Sequence, residues 1–465
     1  MTPKPPNIIE TDTIVAAATP PGAGGVAVLR LSGSNARDIA ERLAGPLPEP
    51  RHAVLRSFRD ANGEPLDQGL VLRFDAPASF TGEDVIELQG HGSPVVIKAL
   101  LSAAVSLGAR RAEPGEFSRR AFMNDRMDLA QAEAIADLVT SGTEQAARAA
   151  LRSMTGQFSA AVHRLEAELT ELRVYVEAAI DFPDEDIDFL ADSALSERLD
   201  ACNHRFSELL DRAHAGRLLH DGLEIVIAGP PNAGKSSLLN QLSGADSAIV
   251  TEVAGTTRDV LRERIDLDGL PVEIIDTAGL RESPDRIEAE GIRRARAALE
   301  RADAVLWVVD AQTHDNNSGL AAAAPDLPEG TPQLMVRNKI DLTGDDAGLR
   351  DGVLYLSAAT GEGVDALGPA LKALMGVDER TLPDTGALSA RERHIEALLR
   401  SRERFLAGVA AREQSAAGEI LAEELRLAAD ELGDITGRMT SDALLGRIFA
   451  DIQPDGRAKF DIAIE

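Results

Sequence analysis

LEIVIAGPPNAGKSSLLNQLSG, residues 223–244, runs from an apolar strand through a glycine-bounded loop into a helix. Inside it, GPPNAGKS from Gly229 to Ser236 fits GxxxxGK[ST] in the strand-to-helix context that the pattern requires. Backbone amides of such a loop cradle phosphates at a helix amino terminus. Asn232, Ala233, Gly234, Lys235, Ser236 and Ser237 are therefore assigned to nucleotide, with Lys235 neutralising the β and γ phosphates and the Ser236 hydroxyl ligating Mg²⁺. Outward from the loop, LPVEIID (270–276), AVLWVVD (304–310), QLMVRNK (333–339) and GVLYLSA (352–358) read as further apolar strands separated by helices. That alternation predicts an α/β unit with a parallel sheet covered on both faces, a Ras-like P-loop domain over residues 221–376.

The loop alone specifies phosphate and leaves the base open. Asn338-Lys339-Ile340-Asp341 follows a strand and closes that question, because one carboxylate, Asp341, can accept both the N1–H and the 2-amino group of guanine. Adenine offers no such pair of donors. Ser357-Ala358-Ala359 would bring a backbone amide to the guanine carbonyl. Asp276-Thr277-Ala278-Gly279 supplies the Mg²⁺ side and the γ-phosphate sensor, and TEVAGTTRD, from Thr251 to Asp259, supplies the first switch. Within that switch Gly255 and Thr256 belong to the nucleotide site, and Thr257 is the candidate second Mg²⁺ ligand. The expected activity is GTP hydrolysis.

One feature departs from many GTPases: Leu280 follows DTAG where a glutamine often orients the attacking water. Two residues offer replacements. Asn232, with carbonyls of the switch, can hold a monovalent cation where a cationic side chain otherwise stabilises developing charge. Glu288, in LRESPDRIEAEGI, can orient water directly or through a second water. The predicted catalytic residues are thus Lys235 and Glu288.

The remaining chain bounds the setting. Its 465 residues exceed what one core usually supports. A single cysteine, Cys202, excludes a disulfide framework and a cysteine zinc site, which fits a reduced, cytoplasmic compartment. There is no leader-like start and no apolar run of about 18 residues, so neither export nor a membrane span is expected. The net charge of -29 disfavours an extended basic surface of the kind that grips phosphate backbones. Residues 1–122 mix strand runs (GGVAVLRLSG, DQGLVLRF, EDVIELQG) with turns and helices, an α+β domain. Residues 123–220 are alanine- and leucine-rich at helical spacing, and periodicity resumes over 377–465, where Ser389-Ala390-Arg391-Glu392 has capping-box form. The two helical stretches read as one helical-bundle domain into which the α/β domain is inserted. The acidic run DFPDEDID (181–188) and the stretch 313–332 read as loops.

GPPNAGKSSLLNQLSG, TEVAGTTRDVLRE, DTAGLRE and NKIDL together resemble the MnmE (TrmE) family of tRNA modification GTPases. DTIVAAATPPGAGGVAVLRLSG, SFTGEDVIELQGHGSP and RAEPGEFSRRAFMNDRMDLAQAEAIADL extend the resemblance over residues 11 to 449. It implies a K⁺ ion held by Asn232, Thr251, Val253 and Thr256, with Glu288 assisting the water. It further implies an amino-terminal tetrahydrofolate-binding and dimerisation domain, with folate contacts at Arg30, Glu87 and Arg126. Arg126 stands where lysine is more usual. The implied assembly is a homodimer that works with a flavin-dependent subunit, MnmG (GidA), in a heterotetramer or larger complex. There 5,10-methylenetetrahydrofolate supplies a one-carbon unit, FAD comes through the partner, and tRNA receives an aminomethyl or carboxymethylaminomethyl group at C5 of the wobble uridine.

Without the resemblance, Arg30 and Glu87 read as surface residues of strands and His91 as shaping a turn. After LLGRIF the chain reads ADIQPDGRAKFDIAIE in place of the family's Cys-x-Gly-Lys tail. An alternative therefore stands beside the enzyme: a sensor or scaffold that binds folate and GTP without modification chemistry. A ribosome-assembly or cell-cycle GTPase is the other rival, and it would be expected to carry an RNA-binding appendage.

Overall fold

A computed structural model describes residues 12–181, 193–244, 262–267, 269–276, 299, 302–312, 331–375, 386–415 and 418–438. The chain divides into two compact units. One holds residues up to 140 with 153–196 and 400 onward, and the other holds 141–152 with 197–399. The acidic run at 182–188, most of the loop at 313–332 and the tail after 438 lie outside the described residues.

In the first unit, six strands form one sheet: β1 (Ile14–Ala17), β2 (Gly24–Ser32), β3 (Val54–Arg59), β4 (Pro65–Phe74), β5 (Val85–Gly92) and β6 (Arg110–Arg111). Their order is β3-β4-β5-β2-β1-β6, antiparallel throughout except for the β1–β6 pair. The period of two in VAVLRLS sorts its side chains between the faces. Leu29 and Leu31, with Val71, Ile86 and Leu88, pack under helices α1 (Ala36–Ala44) and α2 (Pro94–Ser106). Arg30 points to the opposite face. There Ile14 packs with Phe80, Phe117 and Ala121 of α3 (Glu116–Met123) and Ile135 of α4 (Leu129–Thr140).

An ionic cluster ties β1, β6 and α3 together. Arg120 is 5% exposed and donates to Asp12 Oδ1 (2.7 Å), Glu116 Oε1 (2.9 Å) and both Glu83 oxygens (3.2 Å). Arg110 donates to the same Glu116 carboxylate at 2.7 and 3.0 Å and to Asp12 at 2.7 Å. Burial pushes the Glu116 carboxyl upward, but hydrogen bonds from Arg110, the Glu113 amide and Arg120 hold it below its ordinary range. Elsewhere in this unit, the long helix α6 (Gln157–Asp181) packs against the helix Gly418–Thr436 from the far end of the sequence.

The second unit is built on a seven-stranded sheet: β7 (Leu223–Ala228), β8 (Arg262–Leu267), β9 (Leu270–Asp276), β10 (Ala304–Asp310), β11 (Gln333–Asn338), β12 (Gly348–Arg350) and β13 (Val353–Tyr355). The order is β12-β13-β11-β10-β7-β9-β8. All five apolar strands expected from the sequence form and pair in parallel. The sheet is nevertheless mixed, because β8 and β12 add antiparallel edges. β8 and β9 pair up to Leu267 and Leu270, and the sequence signal for this extra strand is the dipeptide DG that separates them. Gly269 adopts φ +84°, a left-handed conformation that glycine takes without a Cβ clash.

The chain enters this sheet from α7 (Ser193–Asp221) and returns beside it. Arg212 Nε donates to Gly386 O (3.0 Å), and a Cβ at Gly216 would lie 1.7 Å from Leu388 O. Those tertiary bonds correct one expectation. The helix does not begin directly after Ser389, as the capping-box form predicts; the Ser389 amide donates to Ala149 O (3.3 Å), in α5 (Glu144–Met154). The helix starts at Glu392, with Arg391 as its cap residue and the buried His394 Nδ1 accepting the Arg391 amide proton (3.0 Å). Histidine thus makes the backward bond of a capping box.

Candidate functional site

The carboxyl ends of β7, β9, β10, β11 and β13 lie along one edge of the parallel sheet, where open α/β sheets place their ligand sites. Gly229 to Gly234 leaves β7 there and leads into α8 (Lys235–Leu242). The loop's curvature rests on three left-handed residues: Gly229 (φ +140°), Asn232 (+62°) and Gly234 (+91°). A Cβ at Gly229 would lie 2.1 Å from Val308 O, and one at Gly234 would lie 2.2 Å from Asn338 Nδ2. Both glycines are required by close approach as well as by dihedral angle.

Lys235 is buried, and its ammonium donates to Gly229 O (3.0 Å) and Pro230 O (2.8 Å), which folds the positive charge over the loop. Asn232 is exposed at the loop's apex, and Ser236 and Ser237 are exposed in the first turn of α8. Ala233 is buried, and its carbonyl accepts from Asn338 Nδ2 (2.9 Å).

Asn338 is the junction of the site. Besides that bond, its Oδ1 accepts the amide protons of Lys339 (2.8 Å) and Ala358 (2.9 Å). One side chain, 1% exposed, therefore fixes the phosphate loop, the base-reading loop and the loop after β13 relative to one another. Ser357 Oγ donates to Asp341 Oδ1 (2.6 Å), which sets the exposed carboxylate at the position from which a base would be read. Because the Ala358 amide is engaged by Asn338, the adjacent, exposed Ala359 amide is the second candidate for the guanine carbonyl. Lys339 sits at φ +72° and donates to Asp310 Oδ2 (2.7 Å) at the end of β10. That bond, together with the Gln312 amide, holds the Asp310 carboxyl below its ordinary range against the opposing effect of burial.

Of the residues expected around the phosphates, Asp276 ends β9, with its backbone beside Ile227 at the start of the loop. Thr251, Val253, Gly255, Thr256, Thr257, Thr277, Ala278, Gly279 and Glu288 lie outside the described residues. Asp310 ends an apolar strand as Asp276 does, a pattern that marks its place in the sequence without assigning it a role.

In the first unit, Arg30 and Glu87 are directly opposed on β2 and β5. Neither is a surface residue: they are 2% and 8% exposed. Arg30 Nε donates to Glu87 Oε1 (3.0 Å), its Nη2 reaches the same oxygen, and the guanidinium lies 5.5 Å from the Phe80 ring and 6.0 Å from the Phe117 ring. Gln89 Nε2 donates to the other Glu87 oxygen (3.0 Å). Arg126 is exposed, and its Nε donates to Ser79 O (3.2 Å), in the segment whose Phe80 stacks on Arg30. The same sheet face continues into exposed Leu55, Leu70 and Val26.

His91 lies within β5, not in a turn. Its amide and its ring Nδ1 both meet the nearly buried Asp67 carboxylate (2.8 and 2.7 Å). The glycines beside His91 serve this packing, since a Cβ at Gly90 would lie 2.4 Å from Asp67 Oδ2. Cys202, in α7, is 1% exposed, and burial pushes its thiol up to about 12.

The fold, its phosphate loop and its base-reading loops define a P-loop GTPase. The family model described as "GTP-binding protein TrmE N-terminus" matches residues 13–126, and "MnmE helical domain" matches residues 129–451. A protein of Pectobacterium carotovorum subsp. carotovorum (strain PC1), tRNA modification GTPase MnmE, is 52% identical over 95% of this chain and 98% of its own length. The chain belongs to the MnmE (TrmE) family. Among solved structures, a point variant of Aquifex aeolicus Era bound to GDP.AlF4- is 22% identical, covering 40% of this chain and 67% of its own, with a TM-score of 0.25. The FeoB G-domain of Methanococcus jannaschii is 24% identical, covering 33% of this chain and 98% of its own, with a TM-score of 0.24. Likeness at that level carries none of the assignment, which rests on the family models and the sequence relative. No helix among the described residues is long and apolar enough to cross a membrane.

Proposed function

We propose that this protein is a K⁺-stimulated, Mg²⁺-dependent GTPase of the cytoplasm that acts in tRNA modification. With a flavin-dependent partner it would add a folate-derived aminomethyl or carboxymethylaminomethyl group to C5 of the wobble uridine. The observation that carries the GTP part is the Asn338 junction, which couples a phosphate loop to a carboxylate placed for guanine. Family membership carries the tRNA part.

In this reading Lys235 neutralises the phosphates, Ser236 and Thr257 hold Mg²⁺, and Asp341 selects the base. Asn232, exposed at the loop apex, suits a K⁺ ligand, with Thr251, Val253 and Thr256 completing the set. Glu288 orients the attacking water. The G domain, residues 221–376, opens and closes against its counterpart in a homodimer formed through residues 1–122.

For folate, the half-covered face of the first sheet fits a flat, polar-edged aromatic group with a carboxylate tail. It offers exposed leucine and valine beside the Arg30–Glu87 pair, and an exposed guanidinium at Arg126. Because both Glu87 oxygens are engaged, this pair shapes the inner wall and Arg126 takes a ligand carboxylate. When bound, tetrahydrofolate supplies the one-carbon unit.

The buried, raised thiol of Cys202 favours one second reading. The only cysteine in the sequence cannot stand in for a reactive tail cysteine, so a folate- and GTP-binding sensor or scaffold is the alternative. Nucleoside mass spectrometry of tRNA from cells lacking their own MnmE and complemented with this chain separates the two. Restored wobble-uridine modification supports the enzyme; unmodified tRNA with normal GTPase activity supports the sensor. GTPase rates in KCl and NaCl at matched ionic strength test the cation, and equal rates would remove K⁺ from the mechanism.

A further inference from the structure

In a chain of net charge -29, a surface that holds a polynucleotide needs cationic groups that no carboxylate has already neutralised. In the first unit Arg30, Arg37, Arg73, Arg110 and Arg120 each meet a carboxylate. β3 and the turn before it differ. Arg51 Nη2 donates to Ala78 O (2.8 Å), Arg56 Nε to Pro46 O (3.1 Å) with its Nη1 on Leu55 O (3.3 Å), and Arg59 Nη1 to Gly63 O (3.0 Å). Among the described residues, none of these three arginines forms an ion pair. Carbonyl acceptors orient a guanidinium without cancelling its charge, and each fork keeps donors for the oxygens of a phosphate.

Arg51 and Arg59 are exposed and Arg56 is half-buried. Arg51, at φ +63°, is further held by the Phe74 ring, 5.4 Å from its guanidinium. Asp60, next in sequence to Arg59, is engaged by its own turn, where Oδ1 accepts the Asn62 and Glu64 amide protons (2.8 and 2.9 Å). β3 is the edge of its sheet, and no strand among the described residues covers its outer side. The three forks are thus strung along a strand of six residues, about 20 Å long. A single phosphate ion would meet one of them; a chain with a phosphate at every nucleotide can meet all three.

We propose that the β3 edge is a landing surface for the phosphate backbone of tRNA, gripped by Arg51, Arg56 and Arg59. The contact positions the RNA on the first unit without reading its sequence, since phosphate contacts fix orientation and carry no base information. The inference rests on the tRNA reading above and deepens it. It also reconciles that reading with the net charge, because an acidic chain can hold RNA where a short run of its surface is locally basic. Arginines on an edge strand can instead serve only to discourage pairing with a second copy, and the test separates the two roles.

That test is equilibrium binding of tRNA to the full-length protein over a range of KCl concentrations. It compares wild type, the triple variant Arg51→Gln, Arg56→Gln, Arg59→Gln, and the same three positions changed to lysine. A control removes equal charge from the same unit by changing the exposed Lys98, Arg111 and Arg164 to glutamine. The β3 glutamine triple is expected to bind more weakly at every salt concentration and to reduce the slope of log K against log[KCl] by about two to three, since each lost phosphate contact removes about 0.7–0.9. Lysine keeps the charge and is expected to restore most of that slope. A β3 glutamine triple with the wild-type slope, or a control that loses as much, would overturn the proposal. Self-association of the β3 triple with tRNA binding intact would make the arginines guards of the edge, and polyglutamate bound more tightly than tRNA would assign the edge to an acidic protein; either result also overturns it. If the triple does not fold, Arg59→Gln alone decides, with an expected loss of about 0.7–0.9 in slope, and an unchanged slope sinks the idea. Wild type that binds no tRNA would instead refute the tRNA reading, and this inference with it.

Discussion

Truncating Asn338 to alanine isolates what the junction contributes. The substitution removes the acceptor of the Lys339 and Ala358 amides and the donor to Ala233 O, all at a position 1% exposed. A buried hydrogen bond contributes about 0.5–1.5 kcal/mol net, and a partner left unsatisfied costs about 1–3 kcal/mol. Three partners are affected, but the exposed edge of the site lets water reach some of them. The lower end of the unsatisfied-partner range, about 1 kcal/mol, applies to each of the three, and the sum is about 3 kcal/mol. Most of it falls on the ordering of three loops and not on the sheet, whose core residues are untouched. Since about 1.4 kcal/mol is tenfold in affinity, GDP binding is expected to weaken by about a hundredfold. Stopped-flow release of fluorescent GDP, read beside the urea unfolding midpoint, measures the two parts separately. An Asn338→Ala protein that holds GDP within about threefold of wild type, with an unaltered midpoint, would show that the junction does not order the site.

Two further outcomes follow from titrating groups. The Glu116 carboxyl is held below its ordinary 4.5 in the folded protein, so its contribution is complete above that value and is lost as pH falls through the lowered one. Glu116→Gln leaves Arg110 and Arg120 short of a buried partner, and is expected to destabilise the protein by about 3 kcal/mol at neutral pH. The gap from wild type should narrow as pH falls below 4.5, and a gap independent of pH in urea titrations would contradict the assignment. For Cys202, burial that pushes the thiol up to about 12 predicts almost no reaction with a disulfide reagent in native protein at mildly alkaline pH, and one thiol per chain after unfolding. Rapid native labelling would show that α7 opens there.

Much of the nucleotide unit was legible because its signals are local. A strand, a glycine pair and a lysine occupy one short run, and the phosphate loop needs backbone dihedrals that only certain residues take. The apolar strands were read for the same reason, being buried on both faces. What escaped depended on partners far away in the chain. Ser389 looked like a helix cap until the Ala149 carbonyl claimed its amide, and His91 looked like a turn residue until Asp67 claimed its ring. Arg30 and Glu87 read as surface residues because a strand's period of two says which face a side chain is on, and not whether Phe80 and Phe117 cover that face.

Residue types and their spacing alone were enough to assign the class of chemistry: a phosphate loop, a guanine-reading carboxylate and a hydrolase without the usual glutamine. It could do so because those functions demand particular residue types at fixed short spacings. How the parts are held follows from the folded arrangement and from nothing local. Asn338 joins loops from three strands, Arg120 collects carboxylates as far away as Asp12, and Lys339 is anchored on Asp310. Each of these is a bond between groups that no local pattern links, and its geometry exists only once the sheet has brought the strand ends together.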